Sequence, residues 1–435
     1  MKRIYTFDFF RGFAILFVPI IHRVIWDYYY QNVSSFEGSS IGFFLFSLII
    51  SMAGIFYCIS GVVNGYMSYK RVKEGKMTPK QLLLKGIAAG ISFILIGLFF
   101  RYFMLRSTDD VVSYVIRTGV LRTDNQTGVL PYLILYGEYP RNFEKSILLN
   151  VGTIQMIGYS VISVSIILAI YFKRNGVHNI RRLRIILFVL AIIIFLSYAI
   201  VQPFLGPIAK EAVENDMYFI SFFLSPFVEG IFPLIPHLAF GFFGAFFGLE
   251  LARDDLQPKK LVISMRIFWV ITMVGGIVFL VILAATVGTS VELLEMWYYK
   301  MARKLFQLGI YFALFLLGLE IFDFQPEEKR KRRMKWTKPI ADMGRLTMTI
   351  YMFEGIVSVS LQRLISPYWV GWNATNGSTF LFGLINLAVW VLIVLIWKQF
   401  KFKGSIEHLS VVIVKAISGK ESQKLAINSE VRKDE

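Results

Sequence analysis

Apolar residues fall along this chain in long unbroken runs, not in short alternating ones. Ten runs are legible, over about 9–30, 43–68, 82–104, 147–172, 183–204, 230–252, 261–288, 302–324, 343–366 and 378–400. A helix needs about 20 residues to cross a hydrocarbon core of about 30 Å. Lipid offers no partner to backbone N–H and C=O groups, so spanning segments are helices or closed barrels. Continuous runs of this length predict helices, and the chain reads as an all-α, polytopic bundle over residues 1–404. Two apolar stretches fit less simply. VLPYLILYGEYP, inside 105–146, is too short to cross and predicts a surface-lying or partly inserted piece. YFISFFLSPFVEG, at 217–229, leaves room for an eleventh span. Residues 405–435 read as a tail, with a short amphipathic helix in GSIEHLSVVIVKAISG and disorder in ESQKLAINSEVRKDE.

Charge adds orientation. A net charge of +17 would suit nucleic acid, but the Lys and Arg residues sit in short loops on alternate sides of the spans. No nucleic-acid partner is expected. One side receives MKR, KRVKEGKMTPKQLLLK, KRNGVHNIRRLR, ARDDLQPKK, EEKRKRRMKWTK and KQFKFK; the other receives QNVSSFEGSS, the 105–146 loop, IAKEAVEND, VELLEMWYYK and YWVGWNATNGS. The basic side is assigned to the cytoplasm, which puts both termini inside. The first apolar segment runs to about Tyr30 without a small-residue cleavage site, so it reads as a retained span and not a signal peptide. The sequons at Asn32, Asn125, Asn373 and Asn376 all fall on the less basic side. They matter only in a eukaryotic secretory pathway. The expected location is the plasma or cytoplasmic membrane in a prokaryote, or an endomembrane in a eukaryote. The lone cysteine, Cys58, excludes an internal disulfide and a thiolate metal cluster.

Polar residues inside the runs are the candidate chemistry. Arg11 and His22 are eleven residues apart, which at about 100° per residue returns to within about 20° of the same helix face. Asp8 lies three residues before Arg11, on the same side. A charge in the bilayer is costly and marks a protein interior or a wet cavity. Ser60 and Asn64 share a face, and Gly61 and Gly65 beside them allow another backbone to come close. Gln155 and Tyr159 are four apart. His237 follows two prolines, which predicts irregular backbone at membrane depth. Such backbone usually lines a cavity. Thr347, Tyr351 and Glu354 share one face of a span.

A histidine is the side chain best suited to move protons near neutral pH, and Glu354 is suited to orient an imidazole or hold a second proton. The same inventory would serve a proton-coupled transporter or flippase of a small anionic or glycolipid solute, or a non-catalytic scaffold. There is no P-loop, Rossmann fingerprint, G-x-S-x-G or H-E-x-x-H. Histidines at 22, 178, 237 and 408 do not make a ligand cluster, and no metal is expected.

D-F-F-R-G-F-A-I-L-F-V-P-I-I-H, residues 8–22, resembles the opening of the transmembrane acyltransferase superfamily. That superfamily contains acyltransferase family three and the heparan-α-glucosaminide N-acetyltransferase-like proteins. Its first helix has a D-x-x-R-G-like element and a His, or in some members an Asn, eleven residues after the Arg; His22 stands there. FYCISG looks like the second-span F-x-x-x-S-G element. KQLLLKGIAAGISFILIGLFF is similar to the third span, NVGTIQMIGYSVI to L-Q-R-I-G-x-x-Y, and FPLIPHLAFGFFGAFFG to P-L-I-P-W-x-x-x-x-x-x-G-x-x-x-G. MGRLTMTIYMFEGIV is similar to G-R-x-S-L-x-I-Y-L-x-H, and FKGSIEHL to the closing F-G-P-L-E-W-L. Met156 replaces the Arg that often follows the Gln, His237 replaces the Trp, and Glu354 replaces the later His.

The resemblance implies transfer of an acyl group, usually acetyl from cytoplasmic acetyl-CoA, to a sugar hydroxyl or amine in or across the membrane of the cell envelope. It implies His22 as a catalytic residue, and Glu354, by the chemistry of a carboxylate at that depth, is the second catalytic candidate. Arg11, Lys85 and Arg345 would contact CoA. Asp8, Ser60, Asn64, Gln155, His237 and Tyr351 would contact the substrate or the developing oxyanion. The expected partners are the bilayer, acyl-CoA and a glycan acceptor, and a homo-oligomer is compatible with the sequence.

Overall fold

The computed structural model describes residues 4–23, 53–104, 128–137, 151–215, 217–228, 232–287 and 297–418. Among these residues all regular structure is helical. The helices are α1 (Tyr5–Arg23), α2 (Ala53–Lys73), α3 (Pro79–Phe103), α4 (Val129–Tyr136), α5 (Thr153–Asn175), α6 (Ile180–Glu214) and α7 (Tyr218–Val228). They continue as α8 (Leu234–Leu251), α9 (Pro258–Val287), α10 (Trp297–Gly318), α11 (Glu327–Arg345), α12 (Thr347–Ile365), α13 (Asn376–Gln399) and α14 (Ile406–Ser418). A π-helical turn, Leu319–Asp323, ends α10.

Among the described residues, eight helices are long and apolar enough to cross a membrane: α1, α3, α5, α6, α8, α9, α10 with its π turn, and α13. The protein is an integral, multi-pass membrane protein. The remaining two expected spans correspond to α2 and α12, which are helical but more polar: α2 carries Asn64 and Lys70, α12 Glu354 and Arg363. The expected extension of the first span to Tyr30, the start of the second at 43–52, the sequons at Asn32 and Asn125, and the tail beyond 418 lie outside the described residues.

Three expectations are corrected. EEKRKRRMKWTK is not a loop but most of α11. Pro326 precedes it, Glu327 and Glu328 occupy its first turn, and Glu327 pairs with Lys331 one turn on; acids at a helix start complement its dipole. IAKEAVEND is helical over most of its length and not a loop, because α6 runs on to Glu214 through Pro203 and Pro207, and its Ala, Lys and Glu residues are strong helix formers. YFISFFLSPFVEG forms α7, whose 11 residues rise only about 16 Å and make no eleventh span. The piece at 129–136 forms α4, a helix of 8 residues.

The chain divides into two compact units. The first holds Met1–Phe10, Ser51–Ile94 and Leu149–Trp336. Its centre is the seam between α2 and α8. A Cβ added to Gly61 would stand 2.1 Å from the Gly241 carbonyl oxygen, one on Gly244 2.2 Å from that of Cys58, and one on Gly248 2.1 Å from that of Val62. Only glycine permits this approach, which lets two backbones pack where lipid supplies no hydrophobic drive. Asn64 ties the seam to α5, its amide donating to Ser165 Oγ (3.2 Å) and to the Val161 carbonyl (3.4 Å). Asp323 accepts the backbone N–H groups of Tyr5 (3.1 Å) and Thr6 (3.0 Å) and so caps α1.

The second unit holds Arg11–Ile50, Leu95–Leu148 and Thr337–Glu435. Ile15, Met343, Leu346, Ile350, Trp390, Val394 and Phe402 form its apolar core. Gly12 brings α1 against α11, where a Cβ would fall 1.7 Å from the Ile340 carbonyl oxygen. The tail helix α14 docks through Glu407, whose carboxylate accepts N–H bonds from Met348 (2.6 Å) and Thr349 (3.2 Å) at the start of α12. Ile406 N–H returns a bond to Thr349 Oγ1 (3.0 Å).

Candidate active site

Within the second unit, α1 delivers His22 and Arg23 from its last turn, α12 delivers Glu354 from two turns past its start, and α13 delivers Asn386. The four side chains meet at the Glu354 carboxylate. His22 Nδ1 lies 2.9 Å from Oε2. Asn386 Nδ2 donates to Oε1 at 3.3 Å, and Arg23 Nε stands 3.4 Å from the same oxygen.

Burial decides the roles open to each group. The side chains of Arg23 and Glu354 are 0% and 1% exposed, whereas that of His22 is 21% exposed. A buried carboxylate beside a buried guanidinium and an amide donor is satisfied where it sits. His22 is the member that a substrate can reach. Donation of Nδ1–H to Glu354 selects the tautomer in which Nε2 carries the lone pair. Tyr351 flanks the pair, its ring centroid 6.4 Å from that of His22 and 5.1 Å from that of Phe100.

The predicted residues thus separate. His22, Tyr351 and Glu354 come together. Arg11 and Arg345 belong to the same unit, with Arg345 Nη1 3.6 Å from Asp342 Oδ1. Asp342 also holds Lys398, at 2.8 Å.

Asp8, Ser60, Asn64, Lys85, Gln155 and His237 fall in the first unit. Two of them have evident structural work there. The amide of Asn64 is committed to α5, and its Oδ1 accepts from Ser68 Oγ at 3.0 Å. Gln155 caps α5, its Oε1 accepting Gly152 N–H at 2.7 Å. His237 sits past a break in the helix at Ile235 (φ −102°, ψ 118°), the irregular backbone its prolines predict. Its Nδ1 bonds the Pro233 carbonyl at 2.7 Å.

Arg23 and Asn386 are the two members that sequence reading missed. Each left a signal. Arg23 directly follows His22 at a span end, where a lone basic residue looks like a topology marker. Asn386 interrupts the otherwise apolar FLFGLINLAVWV, and an amide in a span asks for a partner.

Residues 3–114 match the family model described as heparan-alpha-glucosaminide N-acetyltransferase, catalytic. The matched stretch carries Asp8, Arg11, His22, Ser60, Asn64 and Lys85. It supports the likeness to the transmembrane acyltransferase superfamily. No curated protein matches the chain.

Proposed function

We propose that this protein transfers an acetyl group from acetyl-CoA, bound from the cytoplasmic side, to an amine or hydroxyl of a sugar acceptor in or across the membrane. The observation that carries this reading is the 2.9 Å contact between His22 Nδ1 and Glu354 Oε2, inside a unit whose first helix belongs to the stretch matching an acetyltransferase catalytic domain.

Glu354 fixes the His22 ring and its tautomer, as an orienting carboxylate does for a catalytic imidazole. His22 Nε2 removes the proton from the acceptor N–H or O–H as that atom attacks the thioester carbonyl. The carbon–sulfur bond then breaks, and the imidazolium returns its proton to the departing CoA sulfur. Tyr351, beside the ring, is the candidate donor to the developing oxyanion. Arg11 and Arg345 are the candidates in this unit for the phosphates of CoA, whose contribution is the activated thioester. Asn64 and Gln155 have their hydrogen bonds taken up within the bundle and play no part in this scheme. The family's later His is replaced by Glu354, which here supplies the group that orients the remaining histidine.

The test is acetyl-CoA-dependent product formation by purified protein on amino-sugar acceptors. Product that needs His22 supports the reading. Uptake of solute into sealed proteoliposomes without covalent change would favour a transporter instead.

A further inference from the structure

The first two turns of α10, WYYKMARK, hold Lys300, Arg303 and Lys304. This end of α10 lies away from the basic loops, since α10 runs from VELLEM towards EEKRKRR. Three cations here run against the charge bias of the rest of the chain. Lys304 is 7% exposed, and its Nζ lies 5.9 Å from the centre of the Phe232 ring. His237 is 1% exposed and stands on the same ring, with centroids 5.6 Å apart. The Tyr57 ring closes the group, 6.0 Å from His237 and 5.7 Å from Phe232.

This cluster is short of negative charge among the described residues. Among the described residues, the charged groups near enough to act on Lys304 are Arg303 and Lys300, and those acting on His237 are Lys304 and Arg303. The buried atoms His237 Nε2 and Arg303 Nε have no hydrogen-bond partner among the described residues. A buried ammonium without a counter-ion is costly, more so within a membrane, and one aromatic ring offsets only part of that cost.

We propose that Lys304 and Arg303, beside His237, form an anion-binding site that takes a carboxylate or phosphate group at the less basic end of the first unit. Lys304 supplies the charge and Arg303 Nε–H a directional donor; His237 gives its Nδ1–H to the Pro233 carbonyl, so its Nε2 lone pair serves an O–H or N–H group beside the acid. The inference rests on the acyl-transfer reading only for the ligand's part in the reaction: the acceptor, or the lipid that carries it, bears an acid group. The anion has two sources, a soluble sugar acid or phosphate and an anionic lipid headgroup.

The experiment uses the full chain in nanodiscs of phosphatidylcholine, with sodium glucuronate or inorganic phosphate titrated by calorimetry, and in discs containing phosphatidylglycerol, with thermal unfolding as the readout. A soluble ligand gives saturable binding in neutral discs, weakened about thirtyfold or more by Lys304→Met. A headgroup ligand leaves the titrations silent but raises the unfolding midpoint in anionic discs, and Lys304→Met abolishes that rise. If Lys304→Met does not fold, Lys304→Arg keeps the charge and retains the response, while Arg303→Gln weakens it. A wild-type protein that answers to neither form of anion overturns the proposal, as does a folded Lys304→Met protein that responds like wild type. None of these readouts depends on acetyl transfer, so a failure of the His22 mechanism would leave them standing.

Discussion

Replacing Glu354 separates its two duties. Glu354→Gln keeps the volume and one acceptor oxygen for Asn386, 3.3 Å away, but removes the charge opposite His22 and Arg23. The His22 ring then loses the carboxylate that holds its tautomer. Turnover should fall by about 10²–10⁴-fold, the span of a general acid–base contribution. Glu354→Leu goes further and strips the counter-charge from Arg23, whose side chain is 0% exposed. Removing one partner of a buried ion pair costs about 3–5 kcal/mol, so this variant should unfold at a clearly lower temperature. The paired assay is the initial rate of acetyl transfer and thermal unfolding in detergent, on the same preparations. A folded Glu354→Gln protein that turns over at the wild-type rate would refute the orienting role. An undisturbed melting curve for Glu354→Leu would refute the energetic one.

Other outcomes follow from the packing. Gly248→Ala should destabilise by about 1–3 kcal/mol through overpacking, because its Cβ would meet the Val62 carbonyl oxygen at 2.1 Å. Gly275→Ala, whose Cβ would meet only the Leu305 side chain at 3.6 Å, should be neutral or slightly stabilising; equal melting shifts for the two would contradict the seam. Burial pushes the Glu407 carboxyl above its usual range, against the opposing pull of Thr349 and Met348. The docked tail therefore holds that proton more readily than the free tail. This part of the docking energy is fully present below the ordinary carboxylate pKa and is lost as pH rises through the raised value. Hydrogen exchange of α14 should quicken over that interval in wild type. Glu407→Ala, which loses the cap at a cost of about 1 kcal/mol, should exchange faster at every pH.

Much of this molecule was legible in its sequence, for reasons that also explain the gaps. Apolar runs report spans because lipid demands them, and eight of the ten stand as long apolar helices. Helix ends are less visible, since EEKRKRRMKWTK and IAKEAVEND are polar enough for loops yet rich in helix formers. The close approach at Gly61 and Gly65 could be read because only small residues allow it. His22 and Glu354 stood out as ionisable groups at membrane depth. That the carboxylate on α12 meets the imidazole on α1 is a long-range fact that no spacing encodes. The same limit governs Asn64 and Gln155. An amide in a span signals that it needs a partner, but whether that partner is a substrate, another helix or the chain's own helix start depends on the tertiary fold. Arg23 carried its signal in its neighbour, and Lys304 in a run of cations at the less basic end.

Acetyl transfer by purified protein from labelled acetyl-CoA to an amino-sugar acceptor, with His22→Ala beside it, decides whether His22 is the base. Labelled product is expected from wild type and, from a variant with an unchanged melting curve, a rate lower by about 10²–10⁴-fold. Product formed at the same rate by folded His22→Ala, or no product from folded wild type with any acyl-CoA and acceptor pair, would contradict this mechanism.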